Sequence, residues 1–244
     1  MSDPRRADRL DALRGAAIVW MVAYHFAFDL NHLRWLAPPQ DFYRDPFWTW
    51  QRTAIVSLFL LCAGMGQALA AAGGQGWPRF WRRWAQVAGC ALAVSAGSAL
   101  MFPRSWISFG VLHGMALMLL LVRCAGALAP GRTAWLWPAG ALALLLPHGL
   151  GFAALDNRLG NWLGLVTRKP ITEDWVPVLP WLGVMLWGLA AGHWLRARRP
   201  PWLLGAAPGW SRPLRWLGQR PLTVYMLHQP LLLGALMLAG MARR

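Results

Sequence analysis

LRGAAIVWMVAYHFAFDL, residues 13–30, is apolar and long enough to approach the roughly 20 residues of helix that cross a bilayer, yet it carries Arg14, His25 and Asp29. An α-helix turns about 100° per residue, so the step from Arg14 to His25 closes about three full turns and puts both on one face, about 16 Å apart along the axis. Asp29 follows His25 by one turn and His32 by two, which extends the same stripe. Asp11, three residues before Arg14, is placed to pair with it. Ionisable groups on one stripe of a spanning helix cost several kcal/mol against lipid, so the stripe must face protein or a wet cavity. An ionisable pair inside a membrane is functional by default, which makes His25 and Asp29 the first candidates for chemistry.

The rest of the chain has the composition of a membrane protein. Its 244 residues are 57% hydrophobic and 14% charged, with 18 Trp. Apolar runs at 10–32, 46–71, 80–102, 108–129, 133–150, 178–195 and 221–241 predict an all-α, polytopic transmembrane bundle of about seven helices, as a single domain over 1–244. Pro- and Gly-rich segments such as AAGGQGWP and KPITEDWVPVLP separate the runs. There is no internal repeat and no soluble domain. The basic N-terminal segment precedes an apolar run without a small-residue cleavage site, and reads as an uncleaved first helix. The net charge of +15 is almost all arginine, scattered between apolar runs without aromatic RNA-binding motifs, which argues against nucleic acid and for topology signals and headgroup contacts. Arg5, Arg6, Arg9, Arg14, Arg79, Arg82, Arg83, Arg215 and Arg220 fall on the face shared with the N-terminus, and the richer share of arginine there predicts a cytoplasmic N-terminus. Cys62, Cys90 and Cys124 lie inside apolar runs with no paired spacing and read as buried thiols.

A set of motifs gives the chain a relative. RLDALRGAAIVWMVAYHFAFDL (9–30), FWRRW (80–84), FPRSWISFGVLHGMAL (102–117), WVPVLPWLGVMLWGLAAG (175–192) and LGQRPLTVYMLHQPLLLGAL (217–236) occur in this order. Together they resemble the bacterial membrane proteins grouped with the catalytic domain of heparan-alpha-glucosaminide N-acetyltransferase. The Arg14–His25 spacing is similar also to that of the type 3 membrane acyltransferases. The resemblance implies acetyl-CoA as donor from the cytosol, an amino sugar or other envelope glycan as acceptor on the opposite side, and residence in a bacterial inner membrane. It implies acyl-CoA engagement by Arg14 and catalysis by the histidine at position 25, with His32 as the alternative counterpart.

The chemistry agrees with those residue types. Acyl transfer from a thioester to an amine or hydroxyl needs a base for the acceptor proton, and the imidazole of His25 is suited to that near neutral pH. An acetylated histidine is the other route, since imidazole attacks thioesters. Asp29 is positioned one turn away to orient the ring. A phosphate-bearing donor would dock on Arg79, Arg82, Arg83, Arg215 and Arg220 at helix ends. His113, between Gly110 and Gly114, and His228, followed by Gln229 and Pro230, are further site-lining candidates. Pro230 removes one helical N–H and so frees a carbonyl one turn earlier, beside His228. Gly188 and Gly192, four apart, read as helix packing. No Cys or Glu cluster completes a metal shell, and no metal is expected. The competing reading is a transporter or a lipid- or glycan-binding module that uses the polar stripe as a path. The partners expected are the bilayer and the glycan acceptor, and a homodimer is left open.

Overall fold

The computed structural model describes residues 8–128, 133–198 and 207–242. Arg5 and Arg6, counted above for topology, lie outside them. Among the described residues there are eight α-helices: α1 (Asp8–His32), α2 (Pro46–Ala72), α3 (Trp77–Met101), α4 (Val111–Leu128), α5 (Leu136–Gly149), α6 (Val178–Arg198), α7 (Arg212–Gly218) and α8 (Pro221–Met241). Seven of these coincide with the seven apolar runs. Four of them, α2, α3, α6 and α8, are long and apolar enough to cross a membrane by length and composition. At about 1.5 Å per residue, the 27 residues of α2 extend about 40 Å, more than the ~30 Å hydrocarbon core requires. The outward surface is apolar to match, with Leu100, Leu231 and Leu238 largely exposed. Together these features describe a helical integral membrane protein.

The helix ends follow local chemistry. α3 begins three residues earlier than its apolar run because Gly76 takes the N-cap position in extended conformation and Pro78 occupies the first turn, where its missing N–H is harmless. This draws Arg79, Arg82 and Arg83 into the opening turns of the helix. α2 starts at Pro46 behind Asp45, whose carboxylate accepts the Phe47 N–H at 2.9 Å. The short α7 is absent from the apolar pattern, because about two turns beginning beside a proline carry no readable periodicity.

The chain forms two compact units, one from residues 1–59 and 200–244, the other from 60–199. In the first, α1 and α7 meet through glycines. A Cβ on Gly15 would collide with the backbone carbonyl of Leu214, and one on Gly218 with the carbonyl of Asp11. That closeness lets Arg14 donate to both the Gly218 carbonyl and the Asp11 carboxylate at 3.0 Å. Arg215 of α7 pairs with Asp8 of α1. The unit's core is Met21, Tyr24, Phe42 and Ile55, with Phe42 stacked on Trp48 at 4.0 Å and edge-on to Tyr24 and Phe28.

In the second unit, α6 packs on α5 and on the C-terminal half of α2. Gly188 lies against the backbone of Leu61 and Gly192 against Met65 and Ala68, the close-packing role expected of this small-residue pair. Indole N–H groups are satisfied across helices, Trp84 by the Ala116 carbonyl at 2.9 Å and Trp187 by that of Trp137 at 3.0 Å, as an apolar surround demands. None of the three cysteines is in a disulfide; Cys62 is buried as expected, whereas Cys90 and Cys124 are only half-buried.

Candidate active site

Four side chains from α1 and α8 come together in the first unit. The rings of His25 and His228 lie 5.0 Å apart, and Gln229 Nε2 donates to Asp29 Oδ1 at 2.7 Å. Asp29 is 2% exposed and His228 is buried as well. Their placement follows from helix geometry: His25 and Asp29 are one turn apart on α1, and the consecutive pair His228–Gln229 straddles the facing side of α8.

The hydrogen bonds fix which atoms remain available. His228 Nδ1 lies 2.7 Å from the Tyr225 carbonyl, and a carbonyl can only accept, so Nδ1 carries the proton and Nε2 keeps its lone pair. A carboxylate likewise only accepts, so Gln229 must turn its NH2 to Asp29 and its Oε1 away. Asp29 Oδ2, Gln229 Oε1 and His228 Nε2 are all buried, and none has a hydrogen-bond partner among the described residues. Buried polar atoms are nearly always paired in folded proteins. Three such atoms in one cluster, all acceptors, present a site whose unmet capacity suits a ligand rich in N–H or O–H groups. The freed backbone carbonyl expected from Pro230 belongs to Met226, on the turn that also carries His228.

One expected contact is missing. Asp29 turns to Gln229 and makes no hydrogen bond to His25 among the described residues, so His25 is not oriented in the manner of a triad histidine. His32 lies at the exposed C-terminal end of α1, stacked on Phe28, and borders a recess of about 360 Å³ whose other walls include Asn31, Gln40, Asp41, Phe42 and Tyr43. A reciprocal pair of bonds between the Asn31 side chain and the Gln40 backbone, at 2.7 and 2.8 Å, folds the 33–45 connection over to build this recess. Its aromatic and amide-rich lining was not singled out from sequence; the run QDFY, residues 40–43, was the available signal.

The other candidates divide by surroundings. Arg14 and Arg215 are engaged by Asp11 and Asp8 and tie α1 to α7. Arg220 is exposed, its guanidinium over the Trp216 ring at 4.6 Å. Arg79, Arg82 and Arg83 belong to the second unit, all exposed on α3, where no acidic residue occupies the first turn. His113 is also in the second unit. The Gly110 N–H donates to its Nδ1 at 3.2 Å, so Nε2 carries the proton and donates to Ser95 Oγ at 3.1 Å, and that hydroxyl donates to the Ile107 carbonyl at 2.6 Å. Both ring nitrogens are thus committed to closing the α3–α4 connection, the opposite of the situation at His228.

Comparison with curated proteins and with solved structures gave no match. The sequence model of the heparan-alpha-glucosaminide N-acetyltransferase catalytic domain matches residues 6–230. That match runs from the start of α1 into α8 and takes in His25, Asp29, His228 and Gln229, and the chain therefore belongs to the heparan-alpha-glucosaminide N-acetyltransferase catalytic-domain family.

Proposed function

We propose that the protein transfers an acetyl group from cytosolic acetyl-CoA to an amino sugar or other glycan of the cell envelope, with the His25–His228 cluster as the reaction centre. The observation that carries this reading is the buried lone pair of His228 Nε2 beside the His25 ring, in a cluster whose other unpaired buried atoms, Asp29 Oδ2 and Gln229 Oε1, are acceptors too. Such a site holds the N–H or O–H of an attacking group and takes its proton.

The transfer then proceeds as follows. The acceptor nitrogen or oxygen attacks the thioester carbonyl while its proton passes to His25. The tetrahedral adduct collapses, the C–S bond breaks, and the imidazolium returns the proton to the leaving thiolate. His228, locked as the Nδ1–H tautomer by Tyr225, orients the acceptor or the His25 ring through Nε2, and Asp29 with Gln229 hold the acceptor's remaining donors. The recess beside His32, with aromatic faces next to planar polar groups, has the lining of a sugar subsite. About 10 Å along α1 separates it from His25, by helix rise. Arg220 is an exposed cation of this unit suited to a donor phosphate, and Arg79, Arg82 and Arg83 form a second phosphate-compatible surface within their own unit.

The test is acetyl transfer from acetyl-CoA to glucosamine by purified protein in lipid nanodiscs, read by mass spectrometry. His25→Ala and His228→Gln are each expected to lose roughly 10²–10⁴-fold in rate, with folding retained. Full activity in both variants would remove the pair from the chemistry. Uptake of amino sugar into proteoliposomes without any acetylated product would replace the enzyme reading with transport.

A further inference from the structure

His228 faces more than the polar cluster. Among the described residues it is also the one polar side chain lining a groove of about 580 Å³ between α1, α7 and α8, whose walls include Val19, Ala23 and Phe26 of α1, Leu217 of α7 and Leu231 of α8. The volume lies within the ~300–1,000 Å³ typical of small-molecule sites. A two-carbon acetyl group needs little of it. Val19 is 48% and Leu231 67% exposed, so the groove is open along its side, toward lipid in a membrane protein. Along α1 its lining runs from Ile18 to Phe26, about 12 Å of helix.

The lining decides what can lie there. Pantetheine carries amides and a hydroxyl, and a sugar carries several hydroxyls. Against a wall with one imidazole, these groups would be left without hydrogen bonds, a large penalty in an apolar surround. A hydrocarbon chain has nothing to leave unpaired. His228 borders both the groove and the polar cluster, so the groove adjoins the reaction centre through that one ring. We propose that this groove seats the acyl chain of the thioester donor, so that the protein transfers medium-length acyl groups as well as acetyl. The inference rests on His25 and His228 being the reaction centre. The step is unchanged in its balance: the acyl C–S bond breaks, a C–N or C–O bond forms, and the acceptor's proton ends on the released thiol.

The experiment compares acetyl-CoA with octanoyl-CoA as donors to glucosamine in nanodiscs, for the wild type and for Ala23→Trp and Leu231→Trp, which fill the groove from opposite walls. Octanoyl transfer is expected to have the higher kcat/KM, with a gain of up to about fourfold for each fully buried methylene. Each tryptophan variant is expected to lose octanoyl transfer by tenfold or more while acetyl transfer changes less than twofold. A wild type that transfers acetyl but not octanoyl groups overturns the inference and leaves the acetyltransferase reading standing, as does octanoyl transfer indifferent to both tryptophans. Absence of both transfers overturns the two together. A readout independent of the acceptor is photocrosslinking with an octanoyl-CoA analogue bearing a diazirine at the chain end. Labelling is expected on the peptides carrying Ala23 and Leu231, competed by octanoyl-CoA and not by acetyl-CoA, and labelling elsewhere in the chain overturns the assignment.

Discussion

Gln229 reaches across from α8 to hold Asp29 of α1 at 2.7 Å, and each leaves one buried oxygen unpaired among the described residues. Removing either partner strands the other. Gln229→Ala is expected to destabilise the first unit by about 1–3 kcal/mol, the penalty for a buried polar group without a partner. Asp29→Asn, which keeps an acceptor oxygen for the amide, is expected to lose less than that. Thermal unfolding of Asp29→Ala, Gln229→Ala and the double variant would measure the coupling, expected at about 0.5–3 kcal/mol for groups in contact; additive losses would show that the bond contributes nothing.

Activity and stability should separate along α1. His32 sits outside the buried cluster, so His32→Ala is expected to raise KM for the sugar acceptor with kcat nearly unchanged, whereas His25→Ala lowers kcat. The double variant His25→Ala/His228→Gln should be about as slow as the worse single change, since residues acting as one unit are strongly non-additive. A kcat collapse in His32→Ala with His25→Ala unimpaired would move the base two turns along the helix.

Helix packing gives a test free of any assay for function. Gly15→Ala puts a methyl group into the Leu214 carbonyl, and the helices must part to admit it. The expected loss is about 1–3 kcal/mol or more, with Arg14 and Arg215 losing their registered partners. Gly89→Ala on α3 meets nothing within contact distance and should stabilise by roughly 0.5–1 kcal/mol through backbone entropy. Equal effects at the two positions would contradict the close approach of α1 and α7.

The α5–α6 connection should respond to acid. The Thr167 hydroxyl, followed by the backbone N–H groups of Thr167 and Arg168, holds the Asp156 carboxyl below its ordinary value of 3.8. For a depressed carboxyl the stabilisation is complete above the unfolded value and is lost as pH falls through the lower folded value. Hydrogen exchange of residues 151–168 is therefore expected to speed up only in strongly acidic solution, below that ordinary value. Thr167→Val should shift the onset to higher pH, and Asp156→Asn should abolish the pH dependence.

Topology follows from the arginine distribution. Reporter fusions after residue 76 are expected to report cytoplasm and those after residue 165 the opposite face. A cytoplasmic signal at 165 would overturn the seven-helix topology and the placement of His25 relative to the cytosolic donor.

What could be read in the sequence was whatever depends on local geometry. The stripe of His25, Asp29 and His32 follows from the helix period alone, and the seven apolar runs follow from the thickness of a bilayer. Gln229 is marked as a site candidate by its place between His228 and Pro230, but its pairing with Asp29, 200 residues away, could not be read. The same holds in part for Arg14 and Arg215. The Arg14–Asp11 pair was legible from its spacing of three, but the second acceptor of Arg14, the Gly218 carbonyl, and the Arg215–Asp8 pair both depend on α7, an element too short to leave a pattern. His113 and His228 look alike in sequence, each a histidine in an apolar helix. Only the surrounding donors separate them: Gly110 and Ser95 use up both nitrogens of the first, and Tyr225 takes one nitrogen of the second.

The pairing of α1 with α7 and α8 also orders events at the ribosome. Asp29 emerges 200 residues before Gln229, and at about 5–20 residues per second this is a delay of roughly 10–40 s. Throughout that interval the carboxylate of the first helix, its histidine and the bare glycine face of Gly15 lack their native partners. The second unit, drawn from one uninterrupted stretch of chain, can assemble meanwhile. A nascent chain stalled short of residue 212 should therefore expose its first helix to insertase and quality-control contacts that the completed protein no longer makes.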